Sequence, residues 1–405
     1  MLDGQALHSQ DYRRNPEPFW AQLRNDHPLF YDHVADQWWL TRYHDVAAVF
    51  ADHRTYSAAT YEQSTGRLLG PTLISRDDQG HVDRRSIVAP DFVGKRLQRS
   101  LPLVRSCATE LIDRFAHHDQ FDLILQFSAR LPVDVISAML GMDGDGDLFR
   151  QWVTEMIQGL AQDPAARERG KHAHAAFCAH IAPALQNIDD PGRRDHIAKI
   201  ARAEVDGERL STDEITAFCG LLFIAGGETT DKAIANMWWN LWQDPDLFTE
   251  VAQTPDLWNN AFSETMRRMP AVVNEDRFTT APVEWYGQEL PVGSRVRVSM
   301  GAAHLDPTVF HDPLTFDLHR SDLHLTKELR SGSSTEPGRS GHLGFGLGKH
   351  FCIGYELARA EAVVGSQLIY ERCPLVRPAT GVGERPTIQG NAFQALSTFP
   401  MILAP

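Results

Sequence analysis

A glycine-rich stretch with a single cysteine carries the strongest chemical signal of this 405-residue sequence. In "HLGFGLGKHFCIGYELARAE", residues 342–361, four glycines lie within eleven residues around Cys352, and a helical apolar pattern follows. Backbone N–H groups and the dipole at a helix start stabilise a thiolate. The cysteine is therefore a nucleophile or the lone cysteine ligand of a metal, and not a zinc site, which needs three or four ligands. The alternative is a small buried hydrophobic residue, as most free cysteines are.

The glycines do not form a nucleotide-binding motif. A P-loop requires Gly-x-x-x-x-Gly-Lys-Ser/Thr, but Gly348-Lys349 is followed by His350, and Leu343 stands where the first glycine should be. A dinucleotide fingerprint begun at Gly344 has a lysine in place of its last glycine. We therefore expect the glycines to let the backbone approach a flat, bulky group.

A second candidate for chemistry is "AGGETT", residues 225–230, which lies inside a long helical pattern. Gly226 and Gly227 cost a helix roughly 2 kcal/mol relative to two alanines. They indicate either a close helix crossing or a groove opened in the helix. Beside such a groove, Glu228 and Thr229 would form an acid–alcohol pair, and general acid chemistry needs a positioned proton source of this kind.

Two charged pairs have weaker signals. Glu264 and Arg267 in "SETMRR" share a helix face at i,i+3, a spacing that is common in solvated ion pairs. His81 and Arg85 in "GHVDRRS" lie at i,i+4, where two positive charges are slightly unfavourable unless they bind a shared anion.

The stretch "HAHAAFCAH" has metal-ligand residue types, but their spacing argues against a metal site. On a helix, the side chains of His172 and His174 diverge, and only His174 and Cys178 share a face. We expect a partly exposed helix here.

The elements that must position these residues are mostly helices. The longest pattern begins at Ser211 or Thr212 as cap, with acidic residues in the first turn, and thirty residues of helix span about 45 Å. A strand followed by a helix capped at Asp45 is expected early in the chain, and the turn-rich residues 57–75 are expected to form a loop.

The predicted fold class is mainly α with small β-sheets. The pattern favours a single domain over residues 1–405, with a minor β-rich portion near 25–45 and 271–300, where apolar and polar residues alternate. A Ser/Gly-containing insert, residues 321–341, precedes the cysteine and is expected to border the surface where an electron donor docks.

The decapeptide "FGLGKHFCIG" resembles, position by position, the F-x-x-G-x-H-x-C-x-G signature of cytochrome P450, the haem-thiolate monooxygenases. The other motifs resemble the same family in the family's order: H-x-x-x-R, A-G-G-E-T-T, E-x-x-R and the cysteine loop. Together they span residues 81–361. The resemblance implies a triangular, mostly α-helical prism around a buried haem b.

The resemblance also implies residue roles. Cys352 would be the axial thiolate of the haem iron, and Glu228 and Thr229 would deliver protons for cleavage of dioxygen. Glu264 and Arg267 would brace the fold. The remaining expected haem contacts, which include the propionate ligands, are His81, Arg85, Ala225, Arg277, Phe345, Gly346, His350 and Gly354.

Two positions depart from the family pattern. Thr315 in "DPLTF" stands where an arginine usually pairs with the Glu264–Arg267 motif, so Arg320 is a candidate third partner. In "AAHLDP", His304 and Leu305 replace the family's Asn-Arg, and no mechanism follows from the sequence for that change.

Composition and charge limit the possible binding partners and the cellular compartment. A formal net charge of -14 argues against nucleic acid, and no apolar run suggests a signal peptide or a membrane anchor. Five scattered cysteines indicate a reducing compartment. We therefore expect a cytoplasmic monomer. The resemblance implies that a ferredoxin and a ferredoxin reductase supply electrons from NAD(P)H.

The expected substrate is a small, largely apolar molecule in bacterial secondary-metabolite biosynthesis, into which one oxygen atom is inserted. C–C coupling, cyclisation or desaturation remains open, including the oxidation of a cyclic dipeptide, and so does a haem-thiolate sensor without turnover. The expected pocket residues are Leu68, Leu69, Val272, Val273, Asn274, Asn391 and Phe393.

Overall fold

The computed structural model describes residues 3–161, 163–325, 338–390 and 392–403. The chain forms two compact units. The first comprises Met1–Ala58, Lys232–Cys352 and Cys373–Pro405, and the second comprises Ala59–Asp231 and Ile353–Arg372. In the described part of the chain, no helix is both long and apolar enough for a membrane span.

Helices dominate the described residues. In chain order they are α1 (Gln10–Arg14), α2 (Glu17–Asp26), α3 (Tyr43–Ala51), α4 (Thr65–Leu69), α5 (Gln79–Val88), α6 (Gly94–Gln98), α7 (Leu101–Phe115), α8 (Leu131–Leu140), α9 (Gly146–Gly159), α10 (Pro164–Gln186), α11 (His196–Arg202), α12 (Thr212–Trp242), α13 (Pro245–Gln253), α14 (Leu257–Arg268), α15 (Met300–Ala303) and α16 (Tyr355–Arg372).

The strands are short. In chain order they are β1 (Leu29–Asp32), β2 (Gln37–Leu40), β3 (Tyr56–Ser57), β4 (Gln120–Asp122), β5 (Glu204–Val205), β6 (Glu208–Arg209), β7 (Asn274–Thr279), β8 (Val283–Trp285), β9 (Gln288–Leu290), β10 (Arg295–Ser299), β11 (Arg377–Val382), β12 (Thr387–Gln389), β13 (Phe393–Ala395) and β14 (Pro400–Ile402).

The first unit is built around a five-stranded sheet in the order β1-β2-β10-β7-β3. Only the pairing of β10 with β2 is parallel, with Val296 opposite Trp38, and the other neighbours are antiparallel. The sheet and α3 bury a cluster that includes Leu40, Val46 and Val298. Residues 25–45 and 271–300 both contribute strands to this sheet.

The second unit is a helical assembly. Its α12 begins with a capping box, in which the Glu214 N–H donates to the Ser211 hydroxyl and the Ser211 N–H donates to the Glu214 carboxylate. The predicted cap at Ser211 is therefore confirmed. The unit boundary falls inside α12, after Asp231.

Helices α9 and α10 cross at two glycines. A Cβ on Gly170 would lie 2.8 Å from the Gly159 Cα and 3.0 Å from the Glu155 carbonyl oxygen. Only glycine permits this backbone approach, because both neighbours are main-chain atoms that a side-chain rotation cannot move away.

Two sequence predictions about local structure are wrong. Helix α3 begins at Tyr43 with Arg42 as its cap, and Asp45 lies in the first turn. Residues 57–75 are not an open loop but contain 3-10 helices at Ala58–Gln63 and Leu73–Ser75 on either side of α4. Helical periodicity cannot be recognised over five or six residues, so these short turns gave no signal.

The insert at 321–341 is described only at its ends, because residues 326–337 lie outside the described residues. At those ends, Leu323 and Ser340 form a parallel β-bridge.

Candidate functional site

The loop that carries Cys352 lies in the first unit and is held by its own backbone. The Cys352 N–H donates to the Phe345 carbonyl at 2.9 Å, and the Gly346 N–H donates to the Leu343 carbonyl at 2.8 Å. Gly346 and Gly348 have φ angles of 68° and 66°, which residues with a Cβ rarely adopt. The glycines are therefore needed for the turn that returns the chain to Cys352.

The two sides of this loop differ. A Cβ on Gly344 would lie 2.9 Å from the Met266 side chain, and one on Gly348 would lie 3.0 Å from the Phe50 carbonyl oxygen. A Cβ on Gly346 would instead meet only the His350 carbonyl oxygen, at 3.9 Å. Cys352 is partly exposed. The loop is thus packed against protein at Gly344 and Gly348 and open at Gly346. An open glycine and a partly exposed cysteine in one loop fit a flat metal-bearing group such as haem.

Phe345 lies in an aromatic group of the first unit. Its ring stacks on Phe262 with 6.2 Å between centroids and lies 5.7 Å from His342 and 6.5 Å from Phe351. These ring contacts hold the phenyl ring between three aromatic neighbours, which is compatible with the expected contact of Phe345 with haem.

Glu264 and Arg267 form a buried bidentate ion pair. The Arg267 Nε and Nη2 donate to the carboxylate of Glu264 at 2.8 and 2.7 Å, and both side chains are fully buried. The Arg320 Nε donates to the same carboxylate at 3.0 Å. The structure therefore confirms Arg320 as the third partner at the point where Thr315 breaks the family pattern.

Arg277, an expected propionate ligand in the first unit, is almost fully buried in β7. Its guanidinium lies 5.3 Å from the centroid of the Phe50 ring, and its Nη1 donates to the Asp276 carbonyl at 2.7 Å. The nearby Asp276 carboxylate is engaged by Arg295 and Arg297, and the Arg277 Nη1 lies 3.8 Å from the Glu275 carboxylate. A buried guanidinium of this kind favours a carboxylate ligand.

His304 is fully buried and contacts the start of the cysteine loop. Its Nε2 accepts the Leu343 N–H at 2.6 Å, and its carbonyl accepts the Arg267 Nη1 at 3.0 Å. Burial, helped by the nearby His342 and Arg267, lowers the pKa of His304 well below its ordinary value, so the ring is neutral. Sequence reasoning noticed this residue only as a departure from Asn-Arg and found no role for it.

In the second unit, the middle of α12 has one exposed position in a buried neighbourhood. Ala225 is exposed, whereas residues 221–224 and 227 are buried. A Cβ on Gly226 would lie 3.2 Å from Ile136, and one on Gly227 would lie 3.1 Å from Val133. The two glycines therefore serve close packing against α8, and Gly227 also packs against Val153 of α9. The helix is continuous through both glycines. The open space lies at Ala225 instead.

The expected acid–alcohol pair, Glu228 and Thr229, lies in the next turn of α12. The Thr229 hydroxyl donates to the Ala225 carbonyl at 3.1 Å, one turn earlier in the helix. Glu228 and Thr229 are both partly exposed, as proton delivery requires.

His81 and Arg85 lie on α5 of the second unit. Asp78 caps this helix by accepting the His81 N–H, and the His81 side chain is buried while Arg85 is partly exposed. The pair is thus not a solvated surface pair. Gly354, at the start of the second unit's last segment, has open space where a Cβ would stand.

The expected pocket residues fall into two groups. In the second unit, Leu68 is partly exposed and Leu69 is buried. The Leu69 side chain lies 3.4 Å from the point where a Cβ on Gly220 would stand. In the first unit, Val272 and Phe393 are partly exposed and form an antiparallel bridge.

The other expected pocket residues do not fit that role. Val273 is buried in a core cluster with Leu7 and Trp20, and the buried Asn274 interacts with the Tyr12 hydroxyl. These two side chains belong to the core of the first unit, where Val273 packs with residues of the N-terminal segment and Asn274 contacts Tyr12 of α1. Asn391 lies outside the described residues.

Sequence reasoning missed Lys232. This lysine is only 5% exposed, and its ammonium lies 5.6 Å from the centroid of the Phe393 ring. The sequence offered one signal for this residue: a lysine directly after Asp231 and just before an apolar stretch of α12.

The histidine-rich stretch forms a contact but no metal cluster in the part of the chain that the structure describes. The His174 Nε2 lies 3.4 Å from the Cys178 Sγ, as their shared helix face predicts.

Comparisons with known proteins agree with these features. The family model "Cytochrome P450" matches residues 167–381, just over half of the chain. The chain is 27% identical to pulcherriminic acid synthase of Bacillus subtilis over 91% of both proteins. It is 29% identical to cytochrome P450 monooxygenase PikC of Streptomyces venezuelae over 99% of this chain and 94% of PikC. The ligand-free structure of cytochrome P450 TbtJ1 matches 96% of each chain with a TM-score of 0.83 and 27% identity.

Proposed function

This chain belongs to the cytochrome P450 family and is a P450 monooxygenase, and we propose that Cys352 is the thiolate ligand of its haem iron. The observation that carries this proposal is the geometry of the cysteine loop. Two glycines with positive φ and the hydrogen bond from the Cys352 N–H to the Phe345 carbonyl hold the partly exposed Cys352 in a loop that is open at Gly346. The start of α16 at Tyr355, three residues after Cys352 in the chain, favours a thiolate through the dipole of the helix.

Bound haem supplies the activation of dioxygen, and the chain's own residues supply position and protons. The buried or partly buried side chains of His81, Arg85, Arg277 and His350 would hold the two haem carboxylates. Thr229 would donate its hydroxyl hydrogen bond towards the reacting oxygen in place of the Ala225 carbonyl. Glu228 would hold and replace the proton, because a carboxyl group one residue away is the nearest acid in the helix.

The proposed substrate is a small, largely apolar metabolite of bacterial secondary metabolism that receives one oxygen atom. The partly exposed Leu68, Val272 and Phe393 support apolar binding, and Lys232 adds one buried cation beside the Phe393 ring. We further propose that a separate ferredoxin and its NAD(P)H-dependent reductase supply the two electrons.

The test of the thiolate is the absorption spectrum of the reduced, CO-bound protein. Wild-type protein should show the red-shifted Soret band of a thiolate-ligated haem, and Cys352→Ala should abolish it. Cys107→Ala is the matched control, because Cys107 is also a partly buried cysteine and lies on α7. Loss of the band in both variants, or in neither, would refute the assignment.

The outcome of the reaction is tested with isotope-labelled dioxygen. Substrates are first found by screening metabolites for a change in the ferric spin state of the loaded protein. Product that contains one labelled oxygen atom supports oxygen insertion. Product without label would instead show coupling, cyclisation or desaturation.

A further inference from the structure

His304 connects two structural devices of the first unit. Its backbone carbonyl accepts a hydrogen bond from Arg267, which belongs to the fully buried pair with Glu264. Its side chain accepts the N–H of Leu343, the residue whose carbonyl in turn accepts the Gly346 N–H. One residue therefore connects the buried ion network to the first turn of the cysteine loop.

The imidazole ring of His304 is held in one tautomer. Because Nε2 accepts a hydrogen bond, the single proton of the neutral imidazole is on Nδ1. That Nδ1 is buried and has no hydrogen-bond partner among the described residues. A buried donor without an acceptor is costly, and a leucine at this position would avoid the cost. The bond made by the other nitrogen is what this histidine contributes.

We propose that His304 is a positioning residue for the cysteine loop: its Nε2, through the Leu343 N–H, fixes the turn that presents Cys352. This inference rests on the proposed role of Cys352 as the haem ligand. Leu343 is fully buried, so water cannot replace the lost acceptor when the imidazole is removed. The Leu343 N–H then has no partner, and the turn can relieve that cost only by moving.

Two substitutions of His304 distinguish its hydrogen bond to Leu343 from the packing of its ring. His304→Gln places a side-chain oxygen as far from the backbone as Nε2 and can still accept the Leu343 N–H. His304→Leu retains bulk but cannot accept. The matched control is His196→Leu in the second unit, because His196 is also a buried histidine whose ring bonds the backbone, with Nδ1 donating to the Met139 carbonyl at 2.7 Å.

The experiment measures two properties of the haem-loaded protein. The first is the position of the Soret band of the reduced CO complex, and the second is hydrogen exchange of the Leu343 amide. In His304→Leu, exchange at Leu343 should be about ten-fold faster, because one buried hydrogen bond is lost. A substantial part of the Soret band should also move from the thiolate position to that of an unligated or protonated sulfur. His304→Gln should restore both readings, and His196→Leu should change neither.

The outcomes distinguish this inference from the proposed function. If wild-type protein lacks the thiolate band, Cys352 is not the ligand and both fail. If wild-type protein has the band and His304→Leu retains it with unchanged Leu343 exchange, only the positioning role of His304 is refuted. Equal loss in His304→Gln and His304→Leu would show that the imidazole acts through packing, which also refutes the role.

Discussion

The cysteine region of the first unit and the α9–α10–α12 helix packing of the second unit are held by different forces. Around the cysteine loop, directional hydrogen bonds and a buried ion network determine the backbone, as the contacts of Glu264, His304 and Leu343 show. In the second unit, glycines at the crossings let backbones and aliphatic side chains meet, as at Gly170 and Gly227. The stability of the first region therefore depends on hydrogen-bonded polar groups. The stability of the second depends on small residues that leave room for close packing.

Two buried ionisable groups, one in each unit, have pKa values shifted in opposite directions. Burial lowers the pKa of His304 in the first unit and raises that of Glu361, on α16 of the second unit, well above its ordinary value. In both cases the neutral form is favoured, because a low-dielectric interior penalises charge. The contributions of His304 and Glu361 to stability should therefore respond to pH in opposite directions.

The largest expected effect comes from breaking the ion network. Glu264→Gln leaves Arg267 and Arg320 buried against a neutral amide, which should lower the free energy of unfolding by about 3–5 kcal/mol. Urea unfolding of the haem-loaded protein measures this change. The control is Asp113→Asn, which removes an ion pair with Arg372 whose side chains are about half exposed and should cost at most about 1 kcal/mol. Similar costs for the two variants would contradict the comparison.

A smaller effect is expected at the helix crossing. Gly170→Ala puts a methyl group against the Gly159 Cα and the Glu155 carbonyl, and we expect a loss of about 1–3 kcal/mol. Thermal unfolding measures it. Gly66→Ala in α4 is the matched control, because its Cβ would make only ordinary contacts of 3.6 Å or more, and alanine favours a helix. Stability of Gly170→Ala equal to that of wild type would show that the crossing can separate without cost.

The smallest effects are pH slopes. Between pH 6.5 and the lower folded pKa of His304, the unfolded chain binds one proton more than the folded chain, so the His304 contribution should fall by about 1.4 kcal/mol per pH unit as pH decreases. Above pH 4.5, the folded chain retains the Glu361 proton that the unfolded chain loses, so the Glu361 contribution should fall by about 1.4 kcal/mol per pH unit as pH increases, up to its folded pKa.

Urea unfolding of His304→Gln and Glu361→Gln across pH 5–8 checks these slopes. His304→Gln should reduce the loss of stability on the acid side, and Glu361→Gln should gain stability over wild type as pH increases. Parallel curves for wild type and either variant would contradict the corresponding assignment.

Much of the candidate site could be predicted because its signals are local. The spacing of Cys352 from its glycines, the i,i+3 pair of Glu264 and Arg267 and the cap at Ser211 each depend on residues within a few positions of one another. The structure adds the positive φ angles, the bidentate bond and the capping box at those positions. Short turns such as those in residues 57–75 could not be recognised, because five residues do not establish a helical period.

The sequence by itself determined which residue types can do chemistry here, because backbone conformation and capping are set by neighbouring residues. Only the tertiary structure decided that Arg320 completes the ion network, that His304 supports Leu343 and that Val273 and Asn274 belong to the core. It also decided that Gly226 and Gly227 serve packing while Ala225 is exposed. The physical reason is that burial and hydrogen-bond partners join residues tens to hundreds of positions apart, and spacing along the chain contains no information about which of them meet.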